Sequence, residues 1–245
     1  MALAEIRIGT SGWHYDHWVG AFYPAGTKPE DFLAFYAERF DAAEINTSFY
    51  QLPSAETLAH WRDTVPAGFR FTAKASRYIT HMKKLKDPAA SLERFLQRIA
   101  VLDPKLGPLL FQLPPNWHAD VERLEALLAA LPRGRRCAVE FRDPSWWIDA
   151  VYAALRRHGA AFCPFELAGR EAPLAVTADV VYLRLHGPGA AYQGTYDEAR
   201  LGAWADRLVA WRAQGREVWC FFDNDEAGYA AHNAARLKAL VDAAA

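Results

Sequence analysis

The sequence predicts an α/β fold: a closed (β/α)8 TIM barrel, formed as a single domain over residues 1–245. Three observations carry this. Eight short strand-like runs recur along the chain. Helical patterns fall between most of them. The first strand–helix turn lacks the G-x-G-x-x-G of an open doubly wound sheet, which also leaves no nucleotide cofactor expected. At 245 residues and 52% hydrophobic content the chain has the length and the apolar share for one large core.

The strand-like runs are Ile6–Thr10, Ala42–Asn46, Phe69–Lys74, Leu109–Leu113, Cys137–Arg142, Ala160–Phe165, Val180–His186 and Glu217–Asp223. Phe32, Phe35, Tyr36 and Phe40 mark the first helix. Leu92, Phe95, Leu96 and Ile99 follow helical spacing, as do Leu124, Leu127, Leu128 and Leu131. Asp87 before Pro88 reads as an N-cap with proline at the first helical position. Trp204, Leu208 and Trp211 share a face of a later helix, and Leu237, Leu240 and Val241 a face of the last. The sixth unit is irregular: Glu166 to Ala178 holds Gly169 and Pro173 without an apolar stripe, so a loop is expected in place of a helix. The tail from Ala243 to Ala245 is expected to fray.

Net charge is −1, which argues against a general nucleic-acid binder. Cys137, Cys163 and Cys220 form no C-x-x-C pair and lie in or beside apolar runs, as reduced buried thiols do. No signal-like segment and no apolar run near 18 residues stands in the sequence. A cytoplasmic protein with no membrane partner is expected.

Strands of a parallel sheet covered on both faces should be almost wholly apolar. Several here alternate. Glu44 and Asn46 share a parity, as do Arg70, Thr72 and Lys74, then Glu140 and Arg142, then Tyr182, Arg184 and His186. That parity should face the barrel lumen. Glu44, Glu140 and Asp223 balance Lys74, Arg142 and Arg184. A structural plug of ion pairs and a functional site both fit this balance. The charges fall late in their strands, at the face where barrels keep active sites. Glu44, Glu140 and His186 are the catalytic candidates, as acid, base and proton shuttle.

The loops at that face are aromatic and polar. Trp13, Tyr15 and Trp18 offer flat faces for a sugar or a base, or pack against one another. Asn46, Lys74, His81, Gln112, Arg142, Trp146, Arg184, Tyr196, Asp223 and Asn224 complete the substrate-binding candidates. Arg77, His81, Lys83, Lys84 and Lys86 make the third loop basic, suited to phosphate or simply to solvent. The loop His186-Gly187-Pro188-Gly189 could bring backbone N–H groups to an anion. A divalent metal is left open as a cofactor, since Glu44, Glu140, His186 and Asp223 could converge as ligands, although no H-E-x-x-H spacing occurs.

These strand-end strings together resemble the YecE-like family, long labelled a domain of unknown function. The matching pieces are Gly9-Thr10-Ser11-Gly12-Trp13 with Tyr15 and Trp18, Glu44-x-Asn46-x-Ser48-Phe49-Tyr50, Lys74 with Ile79-Thr80-His81, and Phe111-Gln112-Leu113-Pro114-Pro115. Glu140-Phe141-Arg142 with Ser145-Trp146, Tyr182-x-Arg184-x-His186-Gly187 and Phe222-Asp223-Asn224 follow. The resemblance spans nearly the whole chain and implies a TIM barrel with no settled activity. It implies asparagine more often than aspartate at position 223, which weighs against a metal or acid role for Asp223.

Three functions follow. The first is an enzyme acting on a small anionic, sugar-containing or phosphorylated substrate by acid/base chemistry. The second is nucleic-acid binding or processing through the basic third loop. The third is a non-catalytic ligand-binding protein using the same pocket.

Overall fold

The computed structural model describes residues 4–244. Ten strands form: β1 Ile6–Thr10, β2 Ala42–Ile45, β3 Arg70–Lys74, β4 Leu106–Leu113, β5 Cys137–Phe141, β6 Ala161–Phe162, β7 Phe165–Leu167, β8 Arg170–Glu171, β9 Val180–Leu185 and β10 Glu217–Phe222. The helices are α1 Phe32–Ala37, α2 Thr47–Tyr50, α3 Ala55–Thr64, α4 Pro88–Ile99, α5 Val121–Ala130, α6 Asp149–His158, α7 Glu198–Ala213 and α8 Tyr229–Ala243. Strands and helices alternate, so the fold is α/β. Ala243 ends α8, and Ala245, at the end of the tail expected to fray, lies outside the described residues. Among the described residues no helix is long and apolar enough to cross a membrane.

The strands pair in two five-stranded sheets, ordered β2-β3-β4-β5-β6 and β1-β10-β9-β7-β8. Every pairing is parallel except the short β7–β8 hairpin. A continuous barrel ladder is therefore not delineated. The sheet edges do approach each other. Ser11 bridges Glu44 in parallel fashion just beyond β1. A Cβ on Gly9 would stand 2.1 Å from the Ala42 carbonyl oxygen, so this approach requires glycine.

The expected sixth strand, Ala160–Phe165, is split. Pro164 has no N–H to continue the ladder. Cys163 still donates its N–H to Val139, and the Pro164 carbonyl accepts from Arg184 across 3.1 Å. One side of this segment thus faces β5 and the other β9. No helix follows it: the β7–β8 hairpin leads into an extended stretch, where Thr177 Oγ1 donates to the Ala160 carbonyl and accepts from the Phe162 N–H.

Among the described residues, side-chain caps set three of the eight helix starts, those of α3, α5 and α7. Ser54, Asp120 and Asp197 accept from the N–H groups of Thr57, Arg123 and Arg200. Asp87 corrects the expectation made for it. It precedes α4 at φ 45°, and its side chain caps nothing. Pro88 still occupies the first turn, so the proline signal was sound and the cap was not.

Three apolar clusters hold the molecule. Two lie between strands and helices, one around Ile8, Trp18, Tyr36 and Leu208, the other around Phe95, Phe111, Leu127 and Trp146. The third gathers Ala42, Leu110, Ala138, Ala161, Cys163, Val180, Tyr182, Trp219 and Phe221. Most of its strand positions share the parity of the charged residues but come earlier in each strand. One parity therefore runs from an apolar layer to a charged layer.

Candidate functional site

The charged layer is built around Arg184, which is fully buried near the end of β9. Its Nε donates to Glu44 Oε2 at 3.1 Å and one terminal nitrogen to Glu44 Oε1 at 2.7 Å. That same nitrogen reaches Asp223 Oδ2 at 3.1 Å and Ser11 Oγ at 2.8 Å. The other terminal nitrogen donates to Glu140 Oε2 at 2.9 Å. One guanidinium thus joins three carboxylates, from β2, from β5 and from the residue after β10. Glu44 has no free oxygen: Ser11 and Arg184 take Oε1, and Tyr182 OH (2.7 Å) with Arg184 takes Oε2. Thr72 Oγ1 lies 2.8 Å from the Tyr182 hydroxyl and extends the chain to β3.

Burial pushes the carboxyls of Glu140 and Asp223 up. The opposite charges around them outweigh it. Arg142 and Arg184 hold Glu140 well below the usual carboxylate range, and Arg184, the His186 hydrogen bond and Lys74 hold Asp223 low. Burial pulls the Arg184 guanidinium down, but Glu44, Glu140 and Asp223 raise it well above its ordinary value.

His186 joins this network through both ring nitrogens. Nε2 lies 3.0 Å from an Arg142 nitrogen and 3.3 Å from an Arg184 nitrogen. Arginine only donates, so Nε2 accepts. The proton of the neutral ring then sits on Nδ1 and is donated to Asp223 Oδ2 at 2.9 Å. Arg142 also pairs with Glu140 and lies over the Phe165 ring.

Lys74 differs from the other charges. It ends β3 and is only 6% exposed, yet among the described residues its ammonium makes no ion pair and no hydrogen bond. It lies 4.4 Å from the centroid of the Phe49 ring. Burial, with Arg184 adding to it, lowers its pKa to about 8 against the pull of Asp223, Glu44 and Glu140. His81 packs edge-on to the same Phe49 ring at 4.9 Å, its Nδ1 2.9 Å from Thr80 Oγ1. Burial, Lys74, Arg77 and Arg142 lower His81 to about 4. Gln112 is buried with no side-chain hydrogen bond among the described residues.

Open space adjoins the cluster. A pocket of about 230 Å³ is lined by residues including Trp13, Tyr15, Asn46, Tyr50 and Trp61. Trp13 meets Trp61 edge-on at 5.0 Å. Asn46 lies two residues beyond Glu44, and its buried Oδ1 has no partner among the described residues. Tyr15 donates to the Ser11 carbonyl at 2.6 Å, and burial together with Asp223 raises its phenol.

The structure thus brings together Glu44, Lys74, Glu140, Arg142, Arg184, His186 and Asp223, with His81 and Gln112 nearby and Trp13, Tyr15 and Asn46 in the adjoining pocket. Four predicted residues stand elsewhere. Trp18 is buried in the first cluster and donates to the Asp225 carbonyl at 3.1 Å. Trp146 stacks on Phe141 and donates to the Trp117 carbonyl. Tyr196 OH accepts from the Gly187 N–H, and Asn224 donates to the Gly194 carbonyl and Asn233. The Gly187 N–H is donated to the buried Tyr196 hydroxyl and the Gly194 N–H to Glu226, so neither is free for an anion.

Ser11, Phe49 and Tyr192 are site residues to which the sequence patterns assign no role, although Ser11 and Phe49 stand in the strand-end strings. Ser11 could have been found from its place one residue past a strand end. Tyr192 lies edge-on to His186 at 5.5 Å through a long loop that no periodicity marks. Among the described residues no group of three or more His, Cys, Asp or Glu side chains is placed to hold a metal ion. Arg184 occupies the position between the carboxylates that an ion would need.

A family model described as "Protein of unknown function DUF72" matches residues 7–245. The chain belongs to the DUF72 family. It is 26% identical to the UPF0759 protein YunF of Bacillus subtilis, over 97% of this chain and 95% of that protein. It is 30% identical to the UPF0759 protein YecE of Escherichia coli, over 58% of this chain and 50% of that protein. A DUF72 family protein from Thermotoga maritima superposes with a TM-score of 0.89 at 31% identity, covering 97% of this chain and 99% of that one. A DUF72 protein from Enterococcus faecalis gives 0.81 at 20% identity, covering 97% and 96%, and shows the shared fold. The YecE-like resemblance of the strand-end strings is thereby confirmed, and this DUF72 match brings no substrate with it.

Proposed function

We propose that the protein is an enzyme for a small anionic substrate, bound at the strand ends of a closed (β/α)8 barrel. Barrel closure is supported by the Ser11–Glu44 bridge at one seam and by the Cys163-Pro164 segment, which reaches both β5 and β9, at the other. A cytoplasmic location accords with three free, buried cysteines.

The observation that carries the proposal is Lys74. A structural plug would pair every buried charge. Here Glu44, Glu140, Asp223, Arg142 and Arg184 are paired, and Lys74 alone among these six is held for something absent from the chain. A carboxylate or phosphate between Lys74 and Arg142 completes the set. Glu44 and Glu140 then position the guanidinium groups. Proton transfer falls to His186, whose Nδ1–H is oriented by Asp223 and whose Nε2 is released when Arg142 turns to the substrate. The adjoining pocket takes the neutral part of the substrate, a sugar-like or other ring, against Trp13 and beside the unpartnered Asn46 Oδ1.

The test is a thermal-shift screen of phosphorylated, carboxylated and sugar compounds, with turnover of any hit followed by mass spectrometry. A stabilising anion should appear, and Lys74→Met and Arg142→Met should each abolish its effect. A Lys83→Ala, Lys84→Ala, Lys86→Ala triple variant should retain it. No stabilising anion, or a hit indifferent to both single substitutions, refutes the proposal. Binding without turnover leaves a ligand-binding protein. The exposed Tyr50 and Tyr78, the latter with the Lys83 ammonium 5.9 Å from its ring, favour nucleic acid as the second reading. That reading requires salt-dependent oligonucleotide binding that the triple variant loses.

A further inference from the structure

We propose that Lys74 is a nucleophile, whose amine condenses with the carbonyl group of a small anionic substrate to form an imine while Arg142 holds the substrate's charge. This rests on the anionic-substrate reading of the same site.

The backbone of Lys74 is fixed. Its carbonyl accepts from Ser48 Oγ at 2.7 Å, and the next N–H, of Ala75, donates to Leu110 at 2.8 Å. A rigid strand end therefore presents a side chain with no salt bridge to break before it reacts. The groups facing it are Glu44 from β2, Glu140 from β5, Arg184 from β9 and Asp223 after β10. His81 lies across the shared Phe49 ring, with Arg77 and Arg142 beyond. The Phe49 face favours the ammonium, and burial opposes it more strongly. With a pKa of about 8, about a tenth of Lys74 is free amine at pH 7. For an unperturbed lysine the share is about one in three thousand.

The step balances without an oxidant or reductant. The Nζ lone pair forms the C–N bond, and the carbonyl π pair moves to oxygen. The nitrogen gives up a proton to a neutral base. The base passes this first nitrogen proton to the oxygen, giving a carbinolamine, then carries the second to the hydroxyl, which leaves as water as the nitrogen lone pair completes C=N. His81, held neutral and packed on the same Phe49 ring as Lys74, has its Nε2 without a partner among the described residues and takes this role in the proposal.

The experiment treats the full chain with pyruvate, 2-oxoglutarate or acetone and reduces with cyanoborohydride. Intact mass and peptide mapping follow. The 2-oxo acids should add their own mass less one oxygen, at Lys74, in preference to Lys83, Lys84 and Lys86. Labelling should be lost in Lys74→Arg and should rise with pH through about 8. Label spread evenly over surface lysines of the wild-type chain, or Lys74 unlabelled by all three probes, overturns the proposal, even where anions still stabilise the protein. Acetone trapped at Lys74 as fully as the 2-oxo acids upholds the nucleophile and removes the anionic-substrate reading instead.

Discussion

Arg184 has no exposed surface and three carboxylate partners, so its removal acts on all of them. Arg184→Met leaves Glu44, Glu140 and Asp223 facing one another in a buried space. Loss of one member of a buried ion-pair set costs about 3–5 kcal/mol. Urea unfolding of the variant should show a loss of that order, and a loss below about 1 kcal/mol would contradict the network. Much of this layer was readable in the sequence, because period-two alternation is a strong signal in strands that should be wholly apolar. Glu44, Lys74, Glu140, Arg142, Arg184 and His186 all came from that signal. Partner choice was not readable. Sign balance among six charges does not say which one goes unpaired, because that depends on side-chain reach between the strand ends. Trp146 and Tyr196 were misplaced for a related reason. An aromatic after a strand end looks alike whether it turns toward the charged layer or toward the helices.

The β9 loop is the element that roofs His186. Gly187 sits at φ +107°, and a Cβ there would stand 2.2 Å from the Gln193 carbonyl oxygen. The loop returns so that the Tyr192 N–H donates to the His186 carbonyl at 2.6 Å. Gly187→Ala should displace the Tyr192 segment, at a cost of about 1–3 kcal/mol. Hydrogen exchange over residues 187–196 should quicken, and any stabilising anion should lose its effect. Unchanged exchange would show that the loop does not depend on this turn. The irregular sixth unit was legible from Gly169 and Pro173. The strand break at Pro164 carried an equally plain signal, since proline cannot donate, but the surrounding apolar residues masked it. The Asp87 cap failed because residue type alone does not reveal a left-handed backbone.

Over the whole molecule, one strand parity changes from an apolar layer to a charged one, and helices cover the other. The lower layer supplies stability. The upper layer spends some of it on Lys74, whose depressed pKa is itself a statement about folding. The unfolded chain binds this proton up to its ordinary 10.5, and the folded chain only up to about 8. The unfolded state therefore holds more protons between those values, and the penalty is full below pH 8 and gone above 10.5. A separation of that size corresponds to about 3 kcal/mol. The decisive measurement is the unfolding free energy of Lys74→Met against the wild type, from pH 7 to pH 10.5. A lysine held open for a ligand predicts a variant more stable by up to about 3 kcal/mol at pH 7, with the difference shrinking as pH rises. A variant less stable than the wild type at pH 7 would mean that Lys74 holds the fold together, and would contradict the account.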